Sequence, residues 1–259
     1  MIKIAYTSDL HLEFLDKNLR AQNQGAFFTI PHLAEMFCNA LKKVKCDFAV
    51  VAGDTSHCVL DIVLFFSEID KRVKKPIYVV LGNHDYWNWP SSLMRHKHAV
   101  HPKGNVKDIE TWMREKFANF KQVELVIAGD IYTYKGLKII GDCGFAIYNR
   151  NFNYLSGIYR GTITKHSEEK HYTHRWMNFY RQETEKNEKT LVITHHPPSD
   201  WNHDYWDKNL NHTYIFGHIH DMDIRRATGK EIVKRGRYFG DAGNGYNTAE
   251  IVFKTVEIE

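Results

Sequence analysis

Cysteine is scarce in this chain. Four thiols (Cys38, Cys46, Cys58 and Cys143) in 259 residues, with no Cys-x-x-Cys pair, argue against a disulfide framework and against a thiolate metal site. Any metal must then be held by nitrogen and oxygen. Long apolar runs are missing too: nothing approaches the roughly 18 residues needed to cross a bilayer, and the candidates are short segments such as Phe48 to Ala52. Neither charge sign dominates, since 35 basic residues against 31 acidic ones leave +4, too little and too evenly spread to announce a nucleic-acid-binding domain. Asp9 interrupts the N-terminal apolar stretch where a secretory segment stays apolar, so the expected location is the cytoplasm, with no membrane partner. There is no internal repeat, low-complexity tract or Pro-rich linker, which favours one domain over 1–259.

Histidine, by contrast, is abundant. Sixteen copies in 259 residues is about 6%, and this side chain is both the commonest metal ligand and the usual proton shuttle near neutral pH. Hydrophobic residues at 43% and charged residues at 25% are ordinary for a folded globular chain.

Five short apolar runs each stop at a polar cluster, the pattern of buried strands feeding functional loops. Ile2 to Thr7 ends in Ser8-Asp9-Leu10-His11, Phe48 to Ala52 in Gly53-Asp54, and Ile77 to Leu81 in Gly82-Asn83-His84-Asp85. Leu191 to Thr194 ends in His195-His196, and Tyr214 to Phe216 in Gly217-His218-Ile219-His220. Helical spacing over Pro31 to Val44 and Val59 to Val73 makes the first 85 residues β-α-β-α-β, a right-handed parallel unit. A helix is expected from about Ile109 to Phe120, then strands at Glu124 to Ala128, Ile131 to Tyr134 and Leu137 to Ile140. The polar, aromatic stretch 148–189 contains a helical pattern over Thr164 to Glu185 and reads as an insertion over the active-site face. Glu231 to Phe239 and Ala249 to Ile258 alternate as antiparallel strands do.

Ligands of open α/β sheets bind beyond the carboxyl ends of the strands, so the five clusters are expected to meet. They offer Asp9, His11, Asp54, Asn83, His195, His218 and His220 as oxygen and nitrogen donors, too many for one ion and suited to two that share a ligand. A carboxylate can bridge two ions, and Asp54, beside the unbulky Gly53, is the natural bridge. Two residues apart on an extended segment, His218 and His220 face one side, where each can serve a different ion.

Asp9-x-His11, Gly53-Asp54, Gly82-Asn83-His84-Asp85, His195 and Gly217-His218-x-His220, in this order, resemble the calcineurin-like metallophosphoesterase superfamily. The resemblance spans residues 9 to 220. It implies an α/β fold with four α-β-β-α layers, two mixed sheets flanked by helices. It also implies one ion on Asp9, His11, Asp54 and His220, a second on Asp54, Asn83, His195 and His218, and His84 as proton donor. The protein Ser/Thr phosphatase branch reads G-D-x-x-D-R and G-N-H-E, whereas this chain has Thr55-Ser56-His57-Cys58 after Asp54 and Asp85 in the third block. It is more similar to compact bacterial or phage-type members, in which Ser8-Asp9-Leu10-His11-Leu12-Glu13 and a histidine pair before Pro197-Pro198 recur.

The expected chemistry follows from charge. Two divalent ions bring +4 and two ligand carboxylates −2, so a bridging hydroxide leaves about +1 for a phosphate oxyanion to meet. Water shared by two ions loses its proton near neutral pH and attacks phosphorus in line, while His84 protonates the departing oxygen. Manganese is the first expectation for the pair, with iron, zinc, nickel or cobalt also suited to these donors. The expected substrate is a small phosphomonoester, phosphodiester or nucleotide. A nuclease is the rival enzyme, and a non-catalytic interaction module on the same fold is the rival of another class.

Plainer roles are expected elsewhere. Asp85 either orients a neighbouring histidine in catalysis or caps the next segment. His196 is a substrate-facing or supporting residue, and His171 and His174, with Trp176, line the cleft mouth or simply pack. His57, His96, His98, His101, His166, His203 and His212 are solvated or locally hydrogen-bonded. Trp87 and Trp89 wall the cleft or fill the core, and Asn244-Gly245-Tyr246 resembles a loop that returns to the site in these enzymes. Arg225-Arg226 and Lys234-Arg235-Gly236-Arg237 could meet a phosphate backbone, whereas Lys71-Arg72-Val73-Lys74-Lys75 ends an expected helix and reads as solvated.

Overall fold

A computed structural model describes residues 1–23, 28–87, 89–93, 104–145, 162–163, 166–202, 211–220, 238–240 and 244–259. Its elements run β1 (Ile2–Thr7), α1 (Leu12–Gln22), α2 (Ile30–Lys42), β2 (Phe48–Ala52), α3 (Val59–Asp70), β3 (Ile77–Val80), α4 (Val106–Phe117) and β4 (Val123–Leu125). There follow β5 (Tyr132–Tyr134), β6 (Leu137–Asp142), α5 (His166–Thr184), β7 (Thr190–Thr194), the single turn α6 (Pro198–Trp201), β8 (His212–Phe216), β9 (Tyr238–Gly240) and β10 (Lys254–Ile258).

Two five-stranded sheets form, ordered β10-β1-β2-β3-β4 and β5-β6-β7-β8-β9. Each is parallel except for one antiparallel edge strand, β10 on β1 and β5 on β6. The period of two along each strand assigns the layers. Ile4, Tyr6, Phe48, Val50, Ala52, Tyr78 and Val80 point from the first sheet into a core shared with Leu137, Ile139, Leu191, Ile193 and Ile215 of the second. Ala5, Ala49, Val51, Ile77 and Val79 point the other way and are covered by α1 to α4. Strands buried on both faces read as continuous apolar runs, which is why they stand out in the sequence.

On the far side, Ile140, Val192 and Tyr214 of the second sheet pack against Trp176, Met177 and Tyr180 of α5 and against Trp201. The molecule is therefore a four-layer α-β-β-α sandwich. In α5 the buried positions Glu169, Thr173, Trp176, Met177 and Tyr180 recur at helical spacing, and this stripe fastens the helix to the sheet.

Two expectations are corrected here, and one helix appears that the spacing did not announce. The helix within 148–189 does not lie over the strand ends: α5 is the crossover between β6 and β7, two parallel strands that need such a connection, and it covers the outer face of the second sheet. Residues 148–161 and 164–165 of that stretch fall outside the described residues. The two C-terminal strands do not pair with each other, because β9 extends the second sheet parallel to β8 while β10 closes the first against β1. Finally, α1 follows the first polar cluster directly, its buried Leu12, Leu15 and Leu19 spaced for one helix face. Among the described residues no helix is long and apolar enough to cross a membrane.

Candidate metal centre

The carboxyl ends of β1, β2 and β3 in one sheet and of β7 and β8 in the other open onto a common cleft. The turns that leave these strands are stitched together by backbone: Asp9 N–H donates to the Gly53 carbonyl (3.0 Å), His11 N–H to the Asp54 carbonyl (3.0 Å), and Gly217 N–H to the His195 carbonyl (3.0 Å). Asp9 (φ 53°), His11 (40°), Asp54 (54°), His218 (72°) and His220 (42°) all adopt left-handed backbone, and Lys135 is the only other described non-glycine residue that does. Each such residue costs roughly 1–2 kcal/mol and persists only where its surroundings fix it. What the conformation accomplishes is to turn five donor side chains back toward one point.

Two glycines make room for that convergence. A Cβ on Gly53, whose φ is 83°, would stand 2.6 Å from His195 Nδ1. One on Gly217 would stand 2.7 Å from an Asp9 carboxylate oxygen.

The donors fall into two groups that share Asp54: Asp9, His11, Asp54 and His220 gather within 4.8 Å of one another, and so do Asp54, His195 and His218. Asn83 completes the second group, its Oδ1 3.0 Å from His195 Nε2. In the first, His11 Nε2 and His220 Nε2 face each other at 3.1 Å, and Asp9 Oδ1 lies 3.2 Å from His220 Nε2. In the second, His195 Nε2 stands 3.2 Å from His218 Nδ1 and 3.3 Å from Asp54 Oδ2. Asp54 Oδ1 accepts from the His84 N–H (2.9 Å), whereas Oδ2 is buried without a hydrogen-bond partner, 3.8 Å from both His11 Nε2 and His84 Nε2. The structure thus brings all seven predicted donors together.

Electrostatics follow from this crowding. Burial alone would raise the Asp54 carboxyl, but His195, His84 and His11 around it outweigh that and hold it well below the usual carboxylate range. Asp9 is likewise held low, burial being overcome by His220 and His195. Burial opposes a charge on His195, yet the charge of Asp54, whose Oδ2 lies 3.3 Å from Nε2, pushes it up to about 9. Its Nδ1 donates to the Ala52 carbonyl (2.9 Å), which turns Nε2 toward Asp54 and Asn83. Burial holds His11 and His218 down, in the neutral form a metal ligand needs. Facing imidazole nitrogens, an unpartnered carboxylate oxygen and two low-lying carboxyls are a donor set that fits divalent cations, and the seven residues named would hold them.

His84 sits beside this centre. Its ring stacks on Trp87 (3.7 Å between centroids, 24°), and its Nε2 is 3.0 Å from the Tyr246 hydroxyl, so the returning loop at 244–246 does reach the site. Burial, and secondarily His11, His57 and His195, hold its pKa well below the ordinary value against the pull of Asp54.

Asp85 does not face the cleft. One of its oxygens accepts from the Thr55 (2.8 Å) and Ser56 (3.0 Å) N–H groups and the other from Gly82 N–H (2.7 Å). The catalytic role expected for it gives way to a positioning one, because both oxygens are occupied in tying the second polar cluster to the third. His196 is fully buried, its Nδ1 on the Cys143 carbonyl (3.2 Å) and its ring 4.3 Å from that of His218. This supports a ligand rather than presenting a face to substrate. His171 and His174 lie on the exposed side of α5, away from the stripe that meets the sheet, so the structure does not bring them to the cleft. His57, expected to be solvated or locally hydrogen-bonded, lies beside the site, its ring 5.0 Å from His84 and 4.7 Å from Trp87 and its Nε2 2.7 Å from Glu13 Oε1. Its signal in the sequence is only its place three residues after Asp54. The basic stretches at 225–226 and 234–237, and His96, His98, His101 and His203, lie outside the described residues.

Comparison with known proteins gives a family model described as calcineurin-like phosphoesterase, which matches residues 2–222. No curated protein matches. Among solved structures, the calcineurin-like phosphoesterase YfkN from Bacillus subtilis is 12% identical at a TM-score of 0.50, covering 98% of this chain and 89% of its own. A dimetal phosphatase from Danio rerio is 13% identical at a TM-score of 0.46, covering 98% and 91%.

Proposed function

Because the chain belongs to the calcineurin-like phosphoesterase family, we propose that it is a two-metal phosphohydrolase acting on a small phosphomonoester, phosphodiester or nucleotide, with His84 as proton donor. The observation that carries this reading is the position of Asp54, whose carboxylate belongs to both donor groups and keeps one buried oxygen unpartnered between them. Bound there, divalent cations supply an acidified water and positive charge against which a phosphoryl group is stabilised.

The residues of the chain do the rest. Asp9, His11 and His220 on one side of Asp54, and Asn83, His195 and His218 on the other, fix where an ester would be oriented. His84 stands over the same carboxylate with Nε2 directed at the cleft, where it can pass a proton to a departing alkoxide. Trp87 holds the ring flat, and the Tyr246 hydroxyl marks the direction from which a leaving group would approach. Manganese is the cation we propose first, and four cysteines that form no disulfide favour a reducing cytoplasmic setting.

The test is metal analysis of the purified protein followed by a phosphate-release screen over monoesters, diesters, nucleotides and oligonucleotides with manganese added. Two metals per chain and turnover of at least one small ester are expected. Less than one metal per chain after reconstitution, or turnover of oligonucleotides alone, would overturn this reading.

A further inference from the structure

Four buried donor atoms without a hydrogen-bond partner belong to neighbours on one flank of the paired centre: His11 Nδ1, Glu13 Oε1, His57 Nε2 and His84 Nδ1. One donor atom from each of these four residues lies within 4.8 Å of the others. Glu13 Oε1 is 2.7 Å from His57 Nε2, yet the two are not aligned as donor and acceptor, and it is 3.8 Å from His11 Nδ1. His11 and His84 are at least nine-tenths buried, and the side chains of Glu13 and His57 are only 10% and 15% exposed.

A buried polar atom left unpaired is costly, and native structures rarely keep one without a ligand, water or ion to answer it. Four in one cluster call for a common partner. Three of them are imidazole nitrogens and one is a carboxylate oxygen, which together attract a cation. Nitrogen donors favour a zinc-like ion over calcium or magnesium, and two histidines with a glutamate are a familiar three-ligand zinc set with a fourth position open. Phe14, Trp87 and Trp89 have their rings within 5.7 Å of that of His57, giving the pocket the apolar wall that strengthens such binding.

We propose that the chain holds a third divalent cation of zinc type on Glu13, His57 and the Nδ1 edge of His84, with His11 Nδ1 at its border. This position lies beyond the pair centred on Asp54, and of the pair's donors it shares only His11, through that ring's other nitrogen. A cation on Nδ1 leaves the ring proton of His84 on Nε2, the edge that meets Tyr246. The ion therefore positions the proposed proton donor through its far edge, takes the place of the second ring proton, and offsets the charge of the imidazolate left when the Nε2 proton passes to the departing oxygen.

The experiment titrates the metal-stripped full chain with zinc, reading stoichiometry by calorimetry and by metal analysis after desalting, for wild type, Glu13→Gln and His57→Ala. The first two equivalents rest on the paired-centre reading. Three equivalents are expected for wild type and two for each variant, with cobalt in place of zinc showing a visible absorption band that both variants lose. Two equivalents in wild type overturn the third position alone. Three that persist in both variants overturn it as well, because the extra ion then sits elsewhere. Fewer than two in folded wild type overturn the third position together with the paired centre.

Discussion

At the residue scale the site is organised by which charge each side chain is allowed to keep. His84 is the residue that this arrangement spares from the paired donors, so its loss is expected to separate binding from turnover. His84→Ala should keep the paired metals while kcat falls by about 10²- to 10⁴-fold, the usual range for general acid catalysis. The loss should be greatest on alkyl esters, whose leaving groups are poor, and smallest on nitrophenyl esters, compared at equal metal content. Equal loss on both would remove the proton-donor role. His195 gives a second expectation. Its folded value of about 9 lies above the ordinary 6.5, so at neutral pH the stripped protein carries a proton there that a cation must displace. Metal affinity should therefore climb with pH until about 9 and level off above it, with protons released on binding. Calorimetry in two buffers of different ionisation enthalpy reads that release directly.

At the element scale, strand ends aim the paired donors, and the helices mainly hold the strands. Strands buried on both faces announce themselves as apolar runs, and β1, β2, β3, β7 and β8 are legible for that reason. Helix α1 is harder to read, since its first turn begins on the predicted donor His11 and its apolar residues merge with a motif whose polar members draw attention to chemistry. The turns have little tolerance for added bulk. Gly217→Ala would set a methyl group against the Asp9 carboxylate and the Ser8 Cβ, each at 2.7 Å. It should cost roughly 1–3 kcal/mol in denaturant unfolding and reduce metal content, because the carboxylate must give way. Helix α5 makes the opposite case. Trp176 is fully buried against Trp201, and Trp176→Ala should cost about 3–5 kcal/mol in the same assay while the folded protein keeps its metal stoichiometry. A loss of metal without a loss of stability would put α5 at the cleft after all.

At the scale of the whole molecule, the two sheets are joined by an apolar core and, at one end, by the donor cluster. Asp9, His11, Asp54 and Asn83 come from the first sheet, and His195, His218 and His220 from the second. A cation bound by both groups favours the docked sheets over the unfolded chain. Free metal at about 100 times its dissociation constant should add about 2.7 kcal/mol of stability per independent site, lost on chelation. Thermal unfolding with and without a chelator checks this, and an unchanged midpoint would mean that the donors bind no ion tightly.

The alternation of apolar and polar residues is local, and so the sequence alone determined the strands, most of the helices and the order of the five polar clusters. Donor identity is local as well: Asp9, His11, Asp54, Asn83, His195, His218 and His220 were readable because each ends an apolar run. Contacts between distant residues are not local, and only the tertiary structure decided them. It assigned β9 and β10 to different sheets, laid α5 on the outer face of the second sheet, and turned Asp85 from the cleft toward three backbone N–H groups. It also brought Glu13 and His57, 44 positions apart, to the far edge of His84. No periodicity marks such a meeting, because it depends on how β1 and β2 lie side by side and on the left-handed turns at His11 and Asp54.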